Sequence, residues 1–86
     1  MPTICTFRGI KVFINWNDHL PPHFHAAYAG AEVLIDINTL EPLSEGFPHR
    51  QLKMVLGWAA CHQQELMENW ELARAKEELY QIPATL

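Results

Sequence analysis

The residue types best suited to proton transfer or metal binding are concentrated in residues 18–25, which read DHLPPHFH. His23 and His25 are two residues apart, so on a β-strand they point to the same side of the sheet, with backbone positions roughly 6.5–7 Å apart. That spacing allows two imidazoles to share one ion or one substrate. The diproline before His23 fixes two backbone φ angles and removes two N–H donors, which predicts a stiff loop after Asp18.

A β-hairpin is predicted to carry the two histidines. Residues 23–28 and 31–37 are strand-like and are joined through Ala29-Gly30, where glycine supplies the positive φ that a tight turn requires. The resulting register places Asp36 opposite His23. One face of the hairpin is therefore apolar, and the other is a half-exposed polar face that carries His23, His25, Glu32 and Asp36.

Structural, metal-binding and acid–base roles all remain open for this polar face. We interpret His23, His25 and Asp36 as catalytic, with Asp36 fixing the tautomer of His23. The residues predicted to assist binding are Asp18, His19 and Glu32. Because only two or three ligands are available, we expect no cofactor and no tightly held structural zinc. A metal-dependent hydrolase, with Asp18 or Asp36 as the carboxylate ligand, is the alternative.

A first hairpin is predicted to precede this one. Residues 4–7 and 10–15 are β-prone and are separated by a two-residue turn, in a register that pairs Thr3 with Ile14. Alternation of side chains assigns to the core Cys5, Phe7, Ile10, Val12 and Ile14. The same alternation assigns to the opposite face Ile4, Thr6, Lys11 and Phe13.

A long helical segment is predicted to follow and to pack on the sheet. Pro48 suits the first helical position, where its missing N–H needs no partner, and the pattern continues to about Leu79. The apolar stripe at helical spacing consists of Leu52, Val55, Ala59, Leu66, Trp70 and Ala73. A division into two helices near Gly57 or His62 is left open.

These elements predict an α+β fold. Residues 1–86 are expected to form one domain, with a small antiparallel sheet of two hairpins, about four strands, covered on one face by the C-terminal helical segment. In this arrangement the sheet separates the helix from His23 and His25. His62 is then predicted to be partly buried and bonded to a backbone carbonyl.

Composition restricts the class of function. Ten acidic and six basic residues give a net charge of −4, the opposite of the balance expected for a protein that holds RNA by charge alone. No stretch approaches the roughly 18 apolar residues that a membrane span requires. The N-terminus also lacks the features of a signal peptide, so we expect a cytoplasmic protein with no membrane contact.

Several motifs occur together with residues 18–25 in one known family. They are MPTI at residues 1–4, PHRQLK at 48–53 with Trp58, and ELM at 65–67 with Trp70. On these motifs, which cover nearly the whole chain, the sequence resembles the short prokaryotic proteins catalogued as domain of unknown function 4160. The resemblance implies a component of a two-gene toxin–antitoxin module, the toxin half, held inactive by a small cognate partner from a neighbouring gene.

Whether the chain is an enzyme stays open. An active toxin with these residues would be a ribonuclease-like hydrolase in which His23 and His25 exchange protons, although the net charge does not support RNA as a partner. The alternatives are a metal-dependent hydrolase and a non-catalytic protein-interaction module that docks its partner by strand addition. We also expect a homodimer or a complex with the small partner, since open edge strands favour pairing.

Overall fold

The computed structural model describes residues 2–85, which form four β-strands followed by two α-helices. The elements are β1 (Thr3–Phe7), β2 (Ile10–Phe13), β3 (His23–Tyr28), β4 (Ala31–Asp36), α1 (His49–Cys61) and α2 (Gln63–Arg74). The strands form one antiparallel sheet in the order β1-β2-β3-β4, so each strand pairs with its neighbours along the chain. The predicted α+β fold with two hairpins is confirmed.

Both hairpins turn through two residues of positive φ. The values are 49° and 78° for Arg8 and Gly9, and 48° and 86° for Ala29 and Gly30. Positive φ at both central residues is the condition for the hairpin turn whose twist matches the strands. The register predicted for the second hairpin is confirmed, with Phe24 among the residues paired as expected.

The first hairpin departs from its predicted register at its open end. A shift between Thr3 and Cys5 pairs Thr3 with Phe13 rather than with Ile14. The irregularity lets both Ile4 and Cys5 reach the core, although strict alternation had placed Ile4 on the opposite face. A β-bulge interrupts the period-two pattern, so alternation could not reveal it.

The core lies between one face of the sheet and the two helices. Its largest fully buried side chains include Trp58, Trp70, Phe24 and Leu66. The ring of Phe24 stands edge-on to that of Trp58, with centroids 6.2 Å apart and planes at 78°, a favoured arrangement for aromatic pairs. Within residues 2–85, neither helix has the length and the apolar character needed to cross a membrane.

The helical segment is divided into two helices at His62, which has a non-helical φ of −129°. This is one of the two breaks that the sequence left open. The first helix begins at His49, so Pro48 is the residue before the helix and not its first residue. The backbone N–H of Leu52 nevertheless donates to the carbonyl of Pro48 at 2.9 Å, which joins Pro48 to the first turn.

The second helix ends at Arg74, five residues before the predicted end near Leu79. Lys76 has a φ of 60°, and the N–H groups of Lys76 and Glu77 donate back to carbonyls of the last turn at 3.1 and 2.9 Å. These two bonds form a Schellman motif, which stops a helix and usually contains glycine. Because lysine occupies the left-handed position here, the sequence carries no visible stop signal.

The chain after α2 returns along the free edge of β1. The N–H of Ile82 donates to the carbonyl of Ile4 at 2.8 Å, and the indole N–H of Trp58 donates to the carbonyl of Pro83 at 2.8 Å. At the other edge of the sheet, the N–H of Leu43 donates to the carbonyl of Leu34 at 2.7 Å. Part of each outer strand therefore has partners already, which weakens the prediction that open edges dock a second protein.

His62 joins this C-terminal segment to α2. One ring nitrogen contacts the carboxylate of Glu65 and the other contacts the carbonyl oxygen of Thr85, as expected for a partly buried histidine bonded to the backbone. Both partners accept, so the ring satisfies both when it carries two protons. Burial lowers the pKa of His62, but the hydrogen bonds to Glu65 and Thr85 outweigh it and raise the pKa above its ordinary value.

His62→Ala is expected to lower the melting temperature by roughly 4–16 °C near pH 6, because it removes hydrogen bonds worth about 1–2 kcal/mol. Because the pKa of His62 is raised in the folded state, protonated His62 contributes to the free energy of unfolding. This contribution is fully present below the unfolded pKa of about 6.5 and is lost as the pH rises through the folded pKa. The difference from wild type should therefore shrink by about pH 9. Scanning calorimetry at both pH values tests this, with the exposed His49→Ala as control; an undiminished difference at high pH would contradict it.

Candidate functional site

The structure brings Asp18, His23 and His25 together, and we call these three residues the Asp–His cluster. One ligand atom from each residue lies within 4.8 Å of the other two. Oδ2 of Asp18 is 2.9 Å from Nε2 of His25 and 3.6 Å from Nε2 of His23. Asp18, which the sequence analysis treated as a binding residue, is thus the carboxylate that both imidazoles face.

Contacts with the end of α2 hold the loop that carries Asp18. Within the loop, the backbone N–H of Asn15 donates to Oδ2 of Asp18 at 3.1 Å. The indole N–H of Trp16 donates to the carbonyl of Glu77 at 3.1 Å, and the ammonium group of Lys76 donates to the carbonyl of Trp16 at 3.1 Å. The position of Asp18 therefore depends on residues about 60 positions away in the sequence.

The other ring nitrogen of each histidine is held from outside the cluster. Nδ1 of His23 lies 2.8 Å from the carbonyl oxygen of Pro21, which follows a cis peptide bond from Leu20. Nδ1 of His25 lies 3.0 Å from Oε2 of Glu32. A carbonyl oxygen only accepts, so Nδ1 of His23 is the donor. Both rings consequently turn Nε2 towards Asp18, and Glu32 contacts His25.

The side chain of Asp36 does not join the cluster. Its backbone pairs with that of His23, as predicted. Its Oδ1, however, accepts the N–H groups of Asn38 and Thr39 at 2.7 and 3.0 Å, closing the turn after β4. Strand pairing fixes the backbone but not the direction of the side chain. The carbonyl of Pro21 thus orients the ring of His23, a role that we had predicted for Asp36.

The two histidines are buried, contrary to the half-exposed face expected from the sequence. His23 and His25 are only 6% and 7% exposed. The ring of His25 stacks on Phe13 with centroids 4.8 Å apart, because Phe13 pairs with His25 across β2 and β3 and shares its face. The ring of His23 packs against that of Trp70 in α2, with ring centroids 5.4 Å apart. The sheet therefore does not separate the helices from this histidine.

Asp18 also lines an open polar cleft of about 390 Å³ between its loop and the end of α2. Arg74 and Lys76 supply positive charge to the wall of this cleft. The lining also includes the exposed side chains of His19, Trp16 and Leu20. Thus His19 lies in the cleft beside the cluster, but outside it. Arg74 and Lys76 form no run of charge in the sequence, a pattern that predicts ordinary surface charges; only the fold of the helix end brings them here.

The fold and the site define a small α+β protein whose chemically dense centre lies between a hairpin and a loop held by α2. Residues 9–71 match the model of the family described as domain of unknown function DUF4160. The match covers well over half of the chain, which therefore belongs to this family, as the resemblance of its motifs had implied. The matched region contains the whole Asp–His cluster and ends before Arg74 and Lys76. Neither a curated protein nor a solved structure matches the chain.

Proposed function

We propose that this protein is the toxin half of a two-gene module, and that its target is RNA, bound in the polar cleft and cleaved at the Asp–His cluster. The placement of Asp18 is the observation that supports this most, because Asp18 belongs to the cluster and lines the cleft. Groups suited to proton transfer or ion binding therefore adjoin a surface that a polymer can reach.

The charges in the cleft reduce the objection raised by the net charge of −4. Arg74 and Lys76 place two cations beside Asp18, and the guanidinium of Arg74 lies 5.9 Å above the ring of Trp70, which restricts its direction. Arg and Lys contacts to phosphates supply affinity for RNA independent of its sequence. Trp16, 41% exposed in the same cleft, offers a surface on which a base can stack.

The proposed reaction is an attack by a ribose 2′-hydroxyl on the adjacent phosphorus. A base takes the 2′ proton as the new O–P bond forms, and an acid gives a proton to the 5′ oxygen as its bond to phosphorus breaks. The products are a 2′,3′-cyclic phosphate and a 5′-hydroxyl, and no oxidant or reductant is needed. Asp18 is the cluster member that lines the cleft, and the buried His23 and His25 face its carboxylate.

A small partner protein from the neighbouring gene is proposed to hold the toxin inactive by covering the cleft. Leu20 and Trp16 are 66% and 41% exposed at this place, although large apolar side chains are more often buried. A partner seated over the cleft would remove both side chains from water and would block the approach of RNA to Arg74. The cleft would then be the interface, and the partner would need no free strand edge.

Induced expression of the chain alone is expected to arrest bacterial growth. Co-expression of the neighbouring gene's product should restore growth, and that product should co-purify with the chain. Arg74→Ala should weaken the arrest, because it removes a phosphate contact from the cleft. The matched control is Arg50→Ala, an exposed arginine in the first turn of α1, which should leave the arrest unchanged. Normal growth with the wild-type chain, or equal effects of the two arginine variants, would contradict the proposal.

A further inference from the structure

We infer that Asp18, His23 and His25 form a binding site for one divalent transition-metal ion of the zinc type. The three ligand atoms come from a loop and from one strand, and each is fixed by contacts outside the cluster. Binding of the ion stands on this geometry alone. Only the role of the ion in RNA cleavage rests on the proposed function.

The outer hydrogen-bond partners of the two rings allow a cation to bind in the centre of the cluster. When Nδ1 of a neutral imidazole donates to Pro21 or to Glu32, its Nε2 carries a lone pair and no proton. Without an ion, Nε2 of His25 shares a proton with Oδ2 of Asp18 in a 2.9 Å hydrogen bond, and an ion would replace that proton. The Nε2 lone pairs of His23 and His25 and the carboxylate of Asp18 then face the same small space. One cation in that space satisfies all three groups at once.

The distances in the cluster approach those of a zinc site. Zinc–ligand bonds of about 2.0–2.1 Å in tetrahedral geometry place neighbouring ligand atoms about 3.3–3.4 Å apart. Oδ2 of Asp18 lies 2.9 Å from Nε2 of His25 and 3.6 Å from Nε2 of His23, so these two separations bracket that value. All three ligand atoms lie within 4.8 Å of one another.

The surroundings of the cluster also match those of a metal site. Histidine ligands usually donate their second N–H to a backbone carbonyl or a carboxylate, and Pro21 and Glu32 are placed to accept these bonds. Stacking on Phe13 restricts the rotation of the ring of His25. The expectation of no tightly held zinc rests on the small number of ligands and on their unknown geometry, and the structure provides a geometry that favours binding.

The donor set selects the type of ion. Two imidazoles and one carboxylate suit Zn²⁺, Co²⁺ or Ni²⁺, whereas Mg²⁺ and Ca²⁺ prefer oxygen ligands. Three protein ligands leave a fourth position for water, as in catalytic zinc sites. Since Asp18 lines the cleft, an ion here would place positive charge and a bound water beside the phosphate of RNA. The ion and its bound water would then supply the acid–base chemistry that His23 and His25 would supply in the absence of the ion.

Titration of the metal-free full-length chain with Zn²⁺ by calorimetry, and with Co²⁺ by visible absorption, tests this inference. We expect one ion per chain and the Co²⁺ bands of four-coordinate geometry. Asp18→Asn keeps the shape of the side chain and should weaken Zn²⁺ binding at least about 100-fold, and Glu32→Gln should weaken it roughly 10–100-fold. The exposed His49→Ala should bind as wild type does. Circular dichroism of each variant verifies that it is folded.

Absence of saturable Zn²⁺ and Co²⁺ binding by the wild-type chain would overturn the inference. Binding that is unchanged in both Asp18→Asn and Glu32→Gln would overturn it as well, because the ion would then be held elsewhere. The growth assay separates this inference from the proposed function. Growth arrest without metal binding removes the metal site and leaves the toxin, whereas metal binding without growth arrest keeps the site and removes the toxin role.

Discussion

Asp18→Asn is expected to abolish the growth arrest caused by the chain, at a protein level equal to that of the wild type. Asparagine keeps an oxygen that can accept the N–H of Asn15, so the loop should keep its conformation. It removes the negative charge that faces His23 and His25, on which the proposed proton transfer and the inferred ion binding both depend. Loss of a group of this kind lowers a reaction rate by roughly 10²–10⁴-fold.

The matched control for this substitution is Asp36→Asn. Asp36 is the carboxylate that the strand register placed opposite His23, and its side chain closes a turn that asparagine can also close. This variant should arrest growth as the wild type does. Loss of the arrest in Asp36→Asn together with its retention in Asp18→Asn would favour the catalytic group predicted from the sequence over the Asp–His cluster.

Asparagine at position 18 is a sharper test than alanine at the two histidines. His23 and His25 are buried against Trp70 and Phe13, so removal of their rings would leave a cavity as well as remove chemistry. Exposed side chains can be exchanged at little cost in stability, but that does not hold for these two. A loss of activity in the double alanine variant would therefore mix unfolding with loss of function.

Trp58→Ala is expected to lower the free energy of unfolding by about 3–5 kcal/mol. Trp58 is fully buried in the core, where its ring centroid lies 6.2 Å from that of Phe24 and 5.7 Å from that of Phe7. Its indole N–H also holds the C-terminal segment through the carbonyl of Pro83. A small domain has only about 5–15 kcal/mol of stability in total, so this one substitution removes a large part of it.

Denaturant titration followed by circular dichroism measures this loss, and Trp16→Ala is its control. Trp16 is 41% exposed and makes one hydrogen bond from its indole to the carbonyl of Glu77. Its replacement should cost only about 0.5–1.5 kcal/mol, the net contribution of a typical hydrogen bond. Equal losses in the two variants would contradict the placement of Trp58 at the centre of the core.

Local patterns in the sequence predicted the parts of the fold that local contacts determine. The second hairpin was placed correctly because Ala29-Gly30 can adopt the turn and the flanking strands alternate cleanly. The same period of two put His23 and His25 on one side of the sheet. The first hairpin was misplaced at Thr3 because a bulge breaks that period, and it also brought Ile4 into the core.

The completed site could not be predicted because its parts meet through long-range contacts. The loop that carries Asp18 is hydrogen-bonded to Lys76 and Glu77, which occupy a helix cap that has no glycine. Arg74, the last residue of α2, lines the cleft because the end of this helix packs beside the same loop. Asp36 was chosen instead because strand register is readable from the sequence, whereas the turn that uses its side chain is not.

The central claim is that the Asp–His cluster cleaves RNA bound in the adjoining cleft. The most direct measurement is to incubate total cellular RNA with the purified full-length chain, with Zn²⁺ present, and to analyse the ends of the RNA. The wild-type chain and Asp36→Asn should both give fragments with 5′-hydroxyl and 2′,3′-cyclic phosphate ends, and Asp18→Asn should give none. Intact RNA with the wild-type chain, or the same fragments from Asp18→Asn, would contradict the assignment of RNA cleavage to this cluster.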